Sequence, residues 1–164
     1  MNGASVPPGD HDPLVDDELT FLLGIAFQTV LAEFNRRLGV AGYGELRPAH
    51  GMIFQILHGP GRTSTELAEQ LGITKQAAGQ MIAELEVRGY VRRQDHPKGG
   101  RRRLIILTDK AVAHLQVAGT TLHQLEAELA EKMGDADLAR LREQLVQLIR
   151  ALSGSQIPPL RPVW

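Results

Sequence analysis

From Leu19 onward the apolar residues return every three or four positions: Leu19, Leu22, Leu23, Ala26, Phe27, Val30, Leu31, Phe34 and Leu38. That spacing lies on one face only in a helix, so a long amphipathic helix is predicted. GVAGYG at 39–44 breaks it, and a second helix from about Pro48 to Leu57 turns Met52, Ile53, Ile56 and Leu57 inward. Pro48 suits its first turn, and HGPG at 58–61 is its stop. Thr63 and Glu66 then stand at capping-box spacing, ahead of a helix over 64–71 that buries Leu67, Ala68 and Leu71. Gly72 fits a left-handed helix end. Thr74 can cap the next helix, which runs to about Arg88 with Ala78, Ile82 and Leu85 inward. Two short helices joined by a tight glycine-containing turn make a helix-turn-helix.

Gly89 ends the second of these, and 90–93 and 103–107 read as two strands around the turn-rich basic loop 94–102. Thr108 can cap a long helix to about Met133, with Leu115, Ala118, Leu122, Leu125 and Leu129 on one stripe. Asp135 is expected to cap the last helix, where Leu138, Leu141, Leu145, Leu148 and Leu152 follow a heptad-like spacing. These stripes exceed what a small helix-turn-helix needs to cover. They suit a dimer interface built from both chain ends or, alternatively, an intramolecular bundle.

The outward face of the helix after Thr74 carries Thr74, Lys75, Gln76, Ala77, Gly79 and Gln80, which are small, polar or cationic and never acidic. An ordinary solvated helix can look like this. A helix lying in a DNA major groove must look like this, because it needs close approach, amide and amine groups for base edges, and no carboxylate near phosphate. A hairpin with an arginine-rich tip directly after such a helix is a winged helix. In that tip Arg101 and Arg102 have the reach to grip phosphate or enter a minor groove; Arg103, at the start of the second strand, is a further DNA-binding candidate that, like Arg92 and Arg93, is expected to be partly structural.

The run TSTELAEQLGITKQAAGQMIAELEVRGYVRRQDHPKGGRRRLIILTDKA resembles the winged helix-turn-helix of the MarR family of bacterial transcriptional regulators. ELA in the first helix, LE..GYVRR at the exit of the second, Asp95 and Pro97, the arginine cluster and Leu107-Thr108 carry the likeness. His96 interrupts the usual acidic wing pattern and Gly100 stands where a second acid is common, which leaves open an Asp–Arg brace across the wing. The resemblance implies a homodimer on double-stranded DNA at a palindromic operator, usually as a repressor. Thr63 and Thr74 would sit near phosphate, and Lys75, Gln76 and Gln80 near base edges. It further implies a small aromatic or phenolic anion as effector, in a crevice lined here by Phe27, Tyr43, Arg47, His50 and Phe54. With no ligand, those five are core and hinge residues.

Charge agrees once it is divided. The chain carries 18 basic and 19 acidic residues, but residues 62–110 hold ten bases against six acids, leaving eight against thirteen elsewhere. Attraction for phosphate is thereby concentrated on one module. The absence of cysteine rules out disulfides, thiol switches and cysteine metal sites. The histidine pairs His50/His58 and His114/His123 lack chelating spacing, so no metal and no cofactor is expected. No phosphate-cradling or nucleophile motif stands in the right context, so no enzyme is expected.

Without a signal peptide or an apolar spanning segment, the expected location is cytoplasmic. The expected architecture is mainly α with a small β-wing. A Pro/Gly/Asp-rich tail at 1–13 is expected to be disordered. One domain covers 14–153, with the winged helix-turn-helix at about 47–108 between dimerisation helices at about 14–39 and 109–153. A proline-framed tail at 154–164 either packs across a partner or is loose. The rival function is an architectural or protein-interaction winged helix that grips DNA without sequence preference.

Overall fold

The computed structural model describes residues 14–97, 99 and 102–156. Helix α1 spans Leu19–Leu38, α2 Pro48–Leu57, α3 Ser64–Leu71 and α4 Lys75–Val87. Strands β1 (Val91–Asp95) and β2 (Arg103–Leu107) follow, then α5 (Asp109–Met133) and α6 (Asp135–Ser153). The predicted 1–13 tail and Ile157 to Trp164 of the C-terminal tail lie outside the described residues.

The local signals act as the chemistry requires. Thr63 Oγ1 accepts the Glu66 N–H at 3.3 Å while Glu66 Oε2 accepts the Thr63 N–H at 2.7 Å, a reciprocal capping box. Gly72 is left-handed, and the Ile73 N–H returns to Ala68 O at 3.0 Å. Thr74 accepts from Ala77 N–H at 3.1 Å and starts α4. Thr108 accepts from Ala111 N–H at 3.4 Å and donates to Gly89 O at 2.7 Å, which ties the start of α5 to the end of α4.

Three local expectations change. Residues 39–43 do not break α1 at once but prolong it as a single π-helical turn, Gly39–Tyr43. The backbone turns away only at Gly42, whose φ of 93° a side chain would resist. Strand β1 starts at Val91 and reaches Asp95, because each of its residues is paired through Asp95↔Arg103; Tyr90 precedes it as a core residue. Asp135 does not cap α6: Gly134 holds the cap position with no side-chain bond. Asp135 and Asp137 lie instead in the first turn, where their charge favours the positive helix end.

The wing also has a third member. Arg62 N–H donates to Ile105 O at 3.1 Å and Ile105 N–H to Arg62 O at 2.7 Å, so the α2–α3 linker pairs with β2. Gly61 makes this possible. It has φ of 82°, and a Cβ there would stand 2.6 Å from Ile105 O.

The core sits in this module. Ile53, Phe54, Leu57, Leu67, Leu71, Ile82, Leu85, Tyr90, Val91, Ile105 and Ala111 form one buried cluster. By contrast α1 buries only Leu38, and α6 buries nothing. A bidentate pair from Arg37 to Glu128, at 2.8 and 2.6 Å, joins α1 to α5. No described helix is long and apolar enough to cross a membrane.

Candidate nucleic-acid interface and neighbouring crevice

Helix α4 is held by its apolar face, where Ala78, Ile82 and Leu85 are buried. Its opposite face is left outward. Thr74, Lys75, Gln76 and Gln80 are exposed, and Ala77 and Gly79 are half-buried. A Cβ at Gly79 would meet nothing within 4 Å, so packing does not demand glycine there. The two acids of α4 lie in its last turns and are neutralised. Glu84 pairs with Arg88 at 2.9 Å and with Arg47, and Glu86 pairs with Arg93 at 3.1 Å. The first turn of α4 holds no acid. The electrostatic face offered by α4 is therefore that of Lys75, the helix N-terminus and the two glutamine amides.

Beside it, a cleft of about 480 Å³ runs between the start of α3 and the wing, lined by Thr63, Ser64, Thr65, Glu66, Arg93, His96, Arg102 and Arg103. The expected residues Thr63, Arg102 and Arg103 meet here. Their freedom differs. The Thr63 hydroxyl is occupied by the capping box, donating to Glu66 Oε2 at 2.8 Å. That arrangement, the backbone N–H of Thr63 first and its hydroxyl second, holds the Glu66 carboxyl below its ordinary range. Arg103 pairs with Asp95 at 3.2 Å, directly across the hairpin. The wing is thus braced by an Asp–Arg pair in spite of the inserted His96. Both partners are largely exposed, which limits the pair's contribution to stability. Arg101 lies outside the described residues. Ser64, Thr65, Arg93 and His96 also line the cleft and are not among the DNA-binding residues expected from the sequence, since a helical repeat does not reveal which loop folds back against which helix start.

The second feature is an apolar crevice of about 310 Å³ between α1, α2 and α5. Of the residues expected to line it, Phe27 and Arg47 do so; Tyr43, His50 and Phe54 do not. Phe54 is fully buried in the core, tilted against Tyr90 with centroids 5.5 Å apart. Tyr43 sets its ring against that of His114 at 4.7 Å. His50 is also fully buried, and its Nδ1 accepts the Arg47 N–H at 3.2 Å at the start of α2. The Arg47 guanidinium meets His50 Nε2 at 3.3 Å and the Glu84 carboxylate, so it already bridges α2 to α4.

The functional candidate that sequence did not suggest is His114. It lines the crevice while only 3% exposed, and its Nδ1 is buried with no hydrogen-bond partner. Burial alone pushes its pKa below the ordinary imidazole value. The only signal was a polar residue on the inward side of a leucine stripe, one residue before Leu115. Among the described residues no three His, Cys, Asp or Glu side chains are grouped to hold a metal.

Comparison with known proteins meets this geometry. The MarR family model matches residues 45–102, the stretch that holds α2 to α4 and the wing. No curated protein matches the chain. Among solved structures, the chain is similar to the transcriptional repressor CouR bound to a 23-mer DNA duplex. The two are 28% identical, with 83% of this chain and 95% of that one covered and a TM-score of 0.66. The transcriptional regulator PA4135 is also 28% identical, with 80% and 96% covered and a TM-score of 0.59. RV1404 from Mycobacterium tuberculosis shares the fold, with a TM-score of 0.72 over 91% of this chain and 99% of that one at 19% identity. By fold and by family model alike, residues 45–102 of this chain, which hold its winged helix-turn-helix, are similar to the MarR family of transcriptional regulators.

Proposed function

We propose that the protein is a sequence-specific DNA-binding repressor that acts as a homodimer on a palindromic operator and is released by a small ligand. The observation that carries DNA binding is the acid-free outward face of α4 beside a cleft lined by Arg93, Arg102 and Arg103. In this reading Gln76 and Gln80 meet base edges, Lys75 meets base or phosphate, and Thr74 meets phosphate at the helix start. Ala77 and Gly79 allow the close approach, and the wing arginines, Arg101 included, track the backbone. Support comes also from CouR, whose solved structure holds a DNA duplex.

Dimerisation is supported by the uncovered apolar stripes of α1 and α6. A two-fold dimer would place two copies of α4 on half-sites about one helical turn apart. The ligand reading rests on the crevice, whose walls come from the helices that join the ends to the module. Occupancy would favour one spacing of the two α4 helices over another.

The test is fluorescence anisotropy at fixed salt, comparing an operator duplex with its scramble. Specific recognition predicts a ratio on the order of 10³ or more. Replacing Gln76 and Gln80 together with Ala should remove roughly 2 to 6 kcal/mol of that discrimination, if each amide makes one good base contact. A variant that keeps the ratio would exclude both glutamines from base readout.

A further inference from the structure

We propose that Glu45 and Glu84 are positioning residues for DNA binding: they fasten the segment 44–47 to the end of α4 and so fix the direction in which a dimer presents its two copies of α4. This rests on reading the protein as a dimer on a two-part operator, and it names the residues that set the half-site spacing the dimer accepts.

The winged module joins the long helices at two places. At one, β2 passes through Thr108 into α5, a continuous helix. At the other, α1 reaches α2 through Gly39, Gly42 and Gly44, and glycines hold no course of their own. Segment 44–47 ends that connection, and side chains from the module and from α5 hold it. The Arg88 guanidinium donates to Glu45 O, and the Tyr90 hydroxyl donates to Glu45 Oε1 at 2.9 Å. Lys110 of α5 stands 3.5 Å from the same oxygen and 4.1 Å above the Tyr90 ring, and donates to Arg88 O at 3.0 Å. The Arg47 guanidinium reaches the Glu84 carboxylate in α4. Behind it the fully buried His50 accepts the Arg47 N–H on Nδ1 at 3.2 Å and sets Nε2 3.6 Å from that carboxylate.

Glu84 stands one turn beyond Gln80, an acid on the helix that faces phosphate in the DNA reading. Two arginines are turned on it, Arg47 and, at 2.9 Å, Arg88. These pairs are not what holds α4 in the module, since Ala78, Ile82 and Leu85 do that from the core, and ion pairs of such exposure contribute little stability. The Arg47–Glu84 pair instead attaches α4 to the segment that leads back to α1. Glu86 is the contrast, because its partner at 3.1 Å, Arg93 of β1, belongs to the module itself. Cutting the first pair frees direction; cutting the second does not.

The test uses the full chain. It has no cysteine, so Val87→Cys, at the exposed last residue of α4, takes one spin label per chain. Dipolar spectroscopy without DNA should give one narrow distance between the two labels of a dimer. Glu84→Gln, Arg47→Gln and Glu45→Ala should each widen that distribution about twofold or more, as several arrangements replace one. Their melting temperatures should fall by no more than about 4 °C, because the altered contacts are largely exposed. Glu86→Gln, which removes the same charge as Glu84→Gln, should leave the distribution narrow. DNA binding should follow. One base pair added between half-sites moves the second about 3.4 Å along the duplex and turns it roughly 35°. The parent should lose about tenfold or more in affinity for such an operator, and Glu84→Gln about threefold or less. An unchanged width in the three variants, or equal widening by Glu86→Gln, would overturn the proposal and leave the dimer standing. A widened distribution with the parent's spacing preference intact would overturn the role in DNA binding. No distance between labels in the parent would remove the dimer, and the proposal with it.

Discussion

Phe54 and Leu152 are both large apolar side chains, yet the first is 0% and the second 83% exposed. They represent two regions built on different terms. Between α2 and the start of α5, every apolar stripe meets another, and the linker at Arg62 closes the small sheet. In α1 and α6, stripes of equal regularity are only partly covered, with Leu19, Leu23, Phe27, Val30, Leu141 and Leu152 exposed. Hydrophobic periodicity alone therefore does not say whether a face is covered within one chain. The module completes its own core, and the ends leave apolar side chains exposed, the surplus on which the proposed dimer rests.

Truncation should separate the two regions most clearly. Phe54→Ala removes a fully buried ring from the module and should destabilise it by about 3 to 5 kcal/mol. Leu152→Ala, measured in dilute protein, should cost well under 1 kcal/mol. Equal losses in chemical denaturation would mean that the two regions form one core. The next effect concerns association. Leu141→Glu with Leu152→Glu places carboxylates at exposed stripe positions and should weaken self-association at least 100-fold by sedimentation, with the module's unfolding midpoint unchanged. A variant that sediments as the parent does would free the α6 stripe from any role in a dimer.

Gly79→Ala should then split stability from function. No atom lies within 4 Å of the added methyl, so α4 gains about 1 kcal/mol of helix stability, while DNA affinity falls because the outward face stands further from the groove. A rise in both would remove close approach from the account.

The smallest effect is a pH dependence. Burial lowers the pKa of both His50 and His114, with Glu84 opposing part of the shift at His50. The unfolded chain therefore takes up protons first as pH falls below about 6.5. Stability present at pH 7 should decline from that point down through the folded pKa values. His114→Leu should flatten the decline in thermal melts.

What was legible in the sequence follows the range of the forces involved. Thr63, Thr74, Thr108 and Gly72 act on their own helix ends, so each was readable from a few neighbours. So was the inward face Ala78, Ile82, Leu85. The pairing of Arg62 with Ile105 spans the whole helix-turn-helix, and Gly61 appeared only as part of a stop. The π turn depends on Gly42 rather than on the first glycine of its run. On the crevice, Tyr43, His50 and Phe54 carry chemistry suited to a ligand but spend it on His114, Arg47 and the core. His114 was overlooked because a histidine's worth depends on what surrounds it, and those neighbours come from three separate segments.

The central claim, that the free face of α4 reads sequence and the exposed ends set two copies in register, is tested most directly by selecting bound duplexes from a random pool at fixed salt. The account predicts an inverted repeat with half-site centres about ten base pairs apart, and loss of enrichment with the Gln76→Ala, Gln80→Ala variant. A pool that yields no motif, with affinity that tracks salt alone, would contradict it and leave a winged helix that grips phosphate without reading bases.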